Sequence, residues 1–101
     1  MAQTKVFVTR LMAQEALDRI QQETEMKVWE DELPPPYEVL KREAAEVEGL
    51  VTMLEDRIDL ELMEAAPKLR VISQMAVGFD NIAVEEATRR GILVGHTPGV
   101  L

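Results

Sequence analysis

Main-chain amides, more than side chains, are the groups in this sequence best placed to do chemistry. The stretch Ala76-Val77-Gly78-Phe79-Asp80-Asn81 follows an apolar run that reads as a strand and precedes a helical pattern. Glycine lacks the Cβ that would screen the main chain, so a ligand can approach Gly78 closely. Successive N–H groups in such a loop can form a concave nest for an anion. Loops leaving the carboxyl ends of strands are where ligands bind in open parallel sheets. Val77 and Gly78 are therefore candidates for anion binding. The same glycine would also serve a plain tight turn, and the pattern alone leaves both uses open.

Other chemistry is sparsely represented. There is no cysteine, which excludes a disulfide framework, a thiolate metal site and a cysteine nucleophile. His96 is the single histidine. No second ligand stands at metal spacing from it, so it reads as an exposed or hinge residue. Gly91, Gly95 and Gly99 are spaced by four, and no Gly-x-Gly-x-x-Gly dinucleotide loop occurs. Arg10, just past the first strand, reads as a surface contact. Trp29 and Tyr37 are isolated aromatics suited to packing rather than to base stacking. A phosphoryl-accepting receiver domain needs clustered acids after its first strand and an aspartate closing its third. Those places hold Thr9-Arg10 and Thr52-Met53.

Charge narrows the partners. Lysines and arginines number 11 against 19 acids, a net charge of −8. Nucleic acid and anionic membranes are excluded as partners, because both require a basic patch. The acids fall mostly at helix-surface positions and read as a solvated face. No long apolar span and no signal-peptide core are present, and with the lack of cysteine this leads to an expected cytoplasmic location.

The elements that must position the glycine loop follow from periodicity. Lys5 to Thr9 is rich in β-branched and aromatic residues and reads as a strand. A helical spacing runs from Met12 to Gln22, and Met26 to Trp29 is a second strand. Pro34, Pro35 and Pro36 enforce an extended stretch, and Pro36 opens a helix to about Glu46. Leu50 to Met53 is the third strand; Asp59 caps a short helix through Ala66; Leu69 to Ser73 is the fourth strand. A helix from about Ala83 to Arg90 ends at Gly91, a C′ glycine, and Ile92 to Val94 is the fifth strand.

Regular strand–helix alternation predicts an α/β fold: a flavodoxin-like three-layer domain with a five-stranded parallel sheet of order 2-1-3-4-5. Right-handed crossovers place the second, third and fourth helices on one face and the first alone on the other. A complete fold of this type carries a further helix after strand 5, and the sequence shows none. The expectation is an undercovered sheet face that is buried by homo-oligomerisation.

The motif Ala76-Val77-Gly78-Phe79-Asp80-Asn81-Ile82, then Val84 to Ile92, then Thr97-Pro98-Gly99-Val100-Leu101, resembles the N-terminal, substrate-binding segment of the D-isomer-specific 2-hydroxyacid dehydrogenases. Leu50 to Leu54 followed by Arg57-Ile58-Asp59 adds to it, leaning toward the glyoxylate/hydroxypyruvate reductase branch. The resemblance implies that amides at Val77 and Gly78 hold a substrate carboxylate and that Met53 and Leu54 border a small 2-oxo or 2-hydroxy acid. It implies NAD(P) as the family's cofactor, none of it bound by this chain alone. The Rossmann cofactor domain and the catalytic arginine, glutamate and histidine are expected beyond Leu101, so residues 1–101 read as a single incomplete substrate-binding domain, inactive alone. The alternative is a self-associating flavodoxin-like fragment or interaction module with no catalytic role. Ala83 departs from the family pattern by forfeiting a helix cap worth ~1 kcal/mol, leaving Asp80 or Asn81 to substitute. Gln74 stands where asparagine is common, and Gly95-His96 replaces a hydroxyl–asparagine pair.

Overall fold

A computed structural model describes residues 4–10, 14–31, 33–75 and 78–96. Its elements in chain order are β1 (Thr4–Val8), α1 (Gln14–Glu23), β2 (Thr24–Val28), α2 (Tyr37–Ala44), β3 (Gly49–Thr52), α3 (Leu60–Glu64), β4 (Val71–Gln74), α4 (Val84–Arg89) and β5 (Leu93–His96). The strands form one sheet, all parallel, in the order β2-β1-β3-β4-β5. This is the topology expected from the alternation of elements.

Boundaries moved where local hydrogen bonding overrode periodicity. β2 begins at Thr24 because α1 runs into it without a loop, the Thr24 hydroxyl donating to Ile20 O at 2.6 Å to close the last turn. Leu69 belongs to the turn before β4, its N–H donating to Ala66 O at 3.1 Å. β5 continues past Val94, with Gly95 opposite Ser73 and His96 opposite Gln74. The helical positions Met12 and Ala13 lie outside the described residues. Gly91 has φ +74°, as a C′ glycine requires.

The two sheet faces are covered unequally. Phe7, Leu50 and Ile72 point to the side of α2, α3 and α4, where they pack with Leu40, Leu62, Met63 and Ala87 into the main core. Val6, Val8 and Val51 face α1 and pack on Leu17. Burying each such side chain contributes roughly 1.5–3 kcal/mol. Among the described residues, the cover on that second face reaches only as far as β3. Val71 on β4 is 39 % exposed and Leu93 on β5 is 74 % exposed. The undercovered face expected from the crossovers is therefore the β4–β5 half.

Candidate functional site

The carboxyl ends of β1, β3 and β4 converge on a buried polar network. Strand alternation explains its origin. Thr52 shares parity with Leu50, and Gln74 with Ile72, so both polar side chains enter the core face. They stand directly opposite each other in register. Both are fully buried. Buried polar groups need partners, and these two supply one another: the Thr52 hydroxyl donates to Gln74 Oε1 at 2.7 Å.

Gln74 then reaches the glycine loop. Its Nε2 donates to Gly78 O at 2.9 Å and to Asn81 Oδ1 at 2.5 Å. Asn81 Nδ2 also lies 3.2 Å from Gln74 Oε1, the longest of its three contacts and one its two hydrogens can serve only by sharing. The same Nδ2 donates to Met53 O at 3.1 Å and to Asp56 O at 2.6 Å in the loop after β3. Both loops are also latched through main chain. Ile58 and Ile82 form an isolated parallel bridge. Ile58 N–H donates to Asn81 O at 3.0 Å, and Ala83 N–H to Ile58 O at 2.9 Å.

Asp56 anchors the β3 loop to β1. Its Oδ2 accepts from the Thr9 hydroxyl at 2.5 Å and from Met53 N–H at 2.9 Å. Its Oδ1 is buried without a partner among the described residues. Burial raises its pKa above the usual carboxylate value, against the pull of Thr9, the Met53 amide and Arg10. On the outer side, Asp59 caps α3 by accepting from Leu62 N–H at 3.0 Å. It also accepts from the Tyr37 hydroxyl. Burial opposes its ionisation, but Tyr37, the Leu62 amide and Arg57 outweigh that and hold its carboxyl below the ordinary value.

The candidate residues fall as follows. Met53 is half-buried at the start of the β3 loop and Leu54 is 51 % exposed. Gly78 is exposed on the β4 loop, and Gln74 brings it toward the Met53–Asp56 turn. Val77 lies outside the described residues. Among the described residues, a Cβ added at Gly78 would meet nothing within 4 Å. No described side chain or main-chain atom therefore packs where a Gly78 side chain would stand.

Other expectations resolve more simply. Arg10 pairs with Glu55 at 3.3 Å on the surface. Trp29 and Tyr37 pack against the core edge. Ala83 leaves α4 without a side-chain cap, and Asn81 does not substitute, because its amide is turned inward to the loop carbonyls. His96 ends β5, and Thr97 onward lies outside the described residues. No cluster of metal-ligating side chains occurs among the described residues. No helix among them is long and apolar enough to cross a membrane.

A depression of about 400 Å³ lies between the two loops, but its lining includes Glu55, Asp56, Asp59 and Asp80 against Arg57 alone. Leu54 lines the same depression. The amide network itself was not anticipated from sequence. Its signal was available: two polar residues at core parity, opposite each other at the ends of apolar strands.

Comparison with known proteins adds an independent line. The family described as D-isomer specific 2-hydroxyacid dehydrogenase, catalytic domain, matches residues 6–101. The chain is 52 % identical to the glyoxylate reductase of Aeropyrum pernix, covering 100 % of this chain and 30 % of that protein. A crystal structure of a Thermus thermophilus protein superposes with TM-score 0.88 at 42 % identity, over 96 % of this chain and 31 % of that one. An NADPH-dependent glyoxylate/hydroxypyruvate reductase from Sinorhizobium meliloti, solved with NADP and malonate, superposes with TM-score 0.73 at 25 % identity, covering 99 % of this chain and 30 % of that one. The chain thus spans about 30 % of the length of the relatives it matches.

Proposed function

The chain belongs to the D-isomer specific 2-hydroxyacid dehydrogenase family, and from that premise we propose that it forms the carboxylate-holding half of a glyoxylate reductase-like active site. The observation that carries this reading is the inward turn of the loop carbonyls. Gly78 O and Met53 O are both drawn into the amide network. With every described peptide bond trans, a carbonyl and the N–H that follows it point oppositely. The Leu54 N–H is therefore directed away from Asn81. The Leu54 amide, fixed in this way, binds a carboxylate without reorganisation, the kind of preorganisation that makes oriented dipoles effective.

The substrate is a small 2-oxo acid, whose carboxylate Val77, Gly78, Met53 and Leu54 border. A nicotinamide cofactor supplies the hydride for such a reduction. This chain's residues do not fit it, because no Gly-x-Gly-x-x-Gly occurs. Residues 1–101 are read as one substrate-binding domain acting in the cytoplasm, with reduction requiring a cofactor domain. Saturation-transfer NMR of the chain with malonate tests the reading. Transfer to the malonate methylene, suppressed by glyoxylate, is expected. No turnover of glyoxylate with NADH or NADPH is expected from the chain alone. Turnover, or the absence of transfer, would refute it.

A second reading concerns association. Val71 and Leu93, 39 % and 74 % exposed, present an apolar strip on the open half of the sheet. A second copy of the chain covering this strip would bury it. Sedimentation at rising concentration is expected to show a dimer that Leu93→Glu abolishes; a strictly monomeric wild type refutes this.

A further inference from the structure

We propose that Asn81, held by Gln74, is a positioning residue that sets the orientation of the Met53–Leu54 peptide and thereby the site's affinity for a carboxylate. The inference rests on the carboxylate reading above and goes beyond it by assigning a role to a side chain that need not touch the ligand.

Met53 is held at both ends. Its N–H is held by Asp56 Oδ2 at 2.9 Å and its C=O by Asn81 Nδ2 at 3.1 Å. Fixing both groups removes the main-chain rotation that would let the Leu54 N–H swing out of line. Only a primary amide meets every demand at position 81. Its Nδ2 donates to two main-chain carbonyls while its Oδ1 accepts from Gln74 Nε2 at 2.5 Å. The amide's sense is fixed by those partners, because the flipped form would set Oδ1 against two carbonyl oxygens. Gln74 in turn is set by Thr52 and ties the same unit to Gly78 O. One side-chain pair therefore places both candidate binding loops relative to each other.

This role is separable from folding. The loops are joined independently by the Ile58–Ile82 bridge and by the main-chain bonds between Ile58 and residues 81 and 83. Removing the Asn81 amide should leave the loops adjacent but let the Met53–Leu54 peptide turn.

The test is Asn81→Leu, a near-isosteric change that adds no charge, in the 101-residue chain, with malonate as the probe and ¹⁵N amide shifts as the readout. The substitution keeps the shape and removes both N–H donors. The variant is expected to unfold cooperatively and to show a displaced Leu54 amide resonance without ligand, with α1 resonances unchanged. Its malonate dissociation constant should rise at least tenfold. A folded variant binding malonate as tightly as wild type overturns the proposal. Should the variant fail to fold, the wild-type Asn81 side-chain amide protons decide the matter: slow solvent exchange is expected, and free exchange overturns it. If wild type gives no malonate response, the carboxylate reading fails on its own. The positioning claim is then judged by the ligand-free Leu54 resonance, which must still move in N81L and stay in place if the claim is wrong.

Discussion

Gln74→Leu is the perturbation whose cost the structure specifies best. Gln74 is fully buried and takes part in three full hydrogen bonds, with Thr52, Gly78 and Asn81. Leucine fills a similar volume, so little cavity forms and the penalty is mainly polar. Thr52, also fully buried, is left with a hydroxyl that no longer reaches an acceptor. An orphaned buried polar group costs about 1–3 kcal/mol. Asn81 loses the donor to its Oδ1 but keeps Nδ2 on Met53 and Asp56, which adds about 1 kcal/mol. Gly78 is exposed, so water replaces its lost partner at little cost. The sum is about 2–4 kcal/mol, a large share of the roughly 5–15 kcal/mol typical of a domain. Urea unfolding followed by circular dichroism measures it, with an unchanged m-value showing that the native state stays compact. Adding Thr52→Val removes the orphan, so the double variant should recover about 1 kcal/mol relative to additivity. A cost below about 1 kcal/mol, or strict additivity of the two changes, would show that the network is not closed as described.

Two carboxylates should titrate in opposite senses. Asp59 is held below its ordinary pKa and caps α3, so its contribution is complete above about pH 4 and fades as pH falls. Asp59→Ala should cost about 1–2 kcal/mol near neutrality, and urea melts should show the gap to wild type closing in acid. Asp56 is raised by burial, so its ionisation works against the fold as pH rises above the ordinary carboxyl value. The stability of Asp56→Asn relative to wild type should therefore climb from about pH 4 toward neutrality. A difference independent of pH in that range would contradict the assigned environment.

Much of this fold was written in local patterns. Short apolar runs alternating with helical spacing specified five parallel strands, and crossover handedness specified which face would lack cover, as Val71 and Leu93 confirm. Asp59 and Gly91 behaved as cap and C′ residue because those roles depend on one residue and its neighbours. The glycine loop was visible as an element, whereas its support was not. Asn81 was expected as a stand-in cap for α4, and its amide instead bonds residues 53 and 56, which are distant in sequence. Gln74 registered only as a departure from asparagine. Its partners, Thr52 and Gly78, become neighbours only through strand register and the path of the loop. Long-range polar pairing of this kind carries no periodicity, so it emerges only when the parity of each strand is set against its neighbour's.

The central claim is that main-chain amides beside Gly78 and Leu54 form a ready carboxylate seat. Residue-resolved amide shifts during a malonate titration of the wild-type chain test it most directly. The largest, saturable changes are expected at Gly78 and Leu54, with α1 and β2 silent. Saturable changes confined to the lysines and arginines of the outer surface, with Gly78 and Leu54 unmoved, would contradict it.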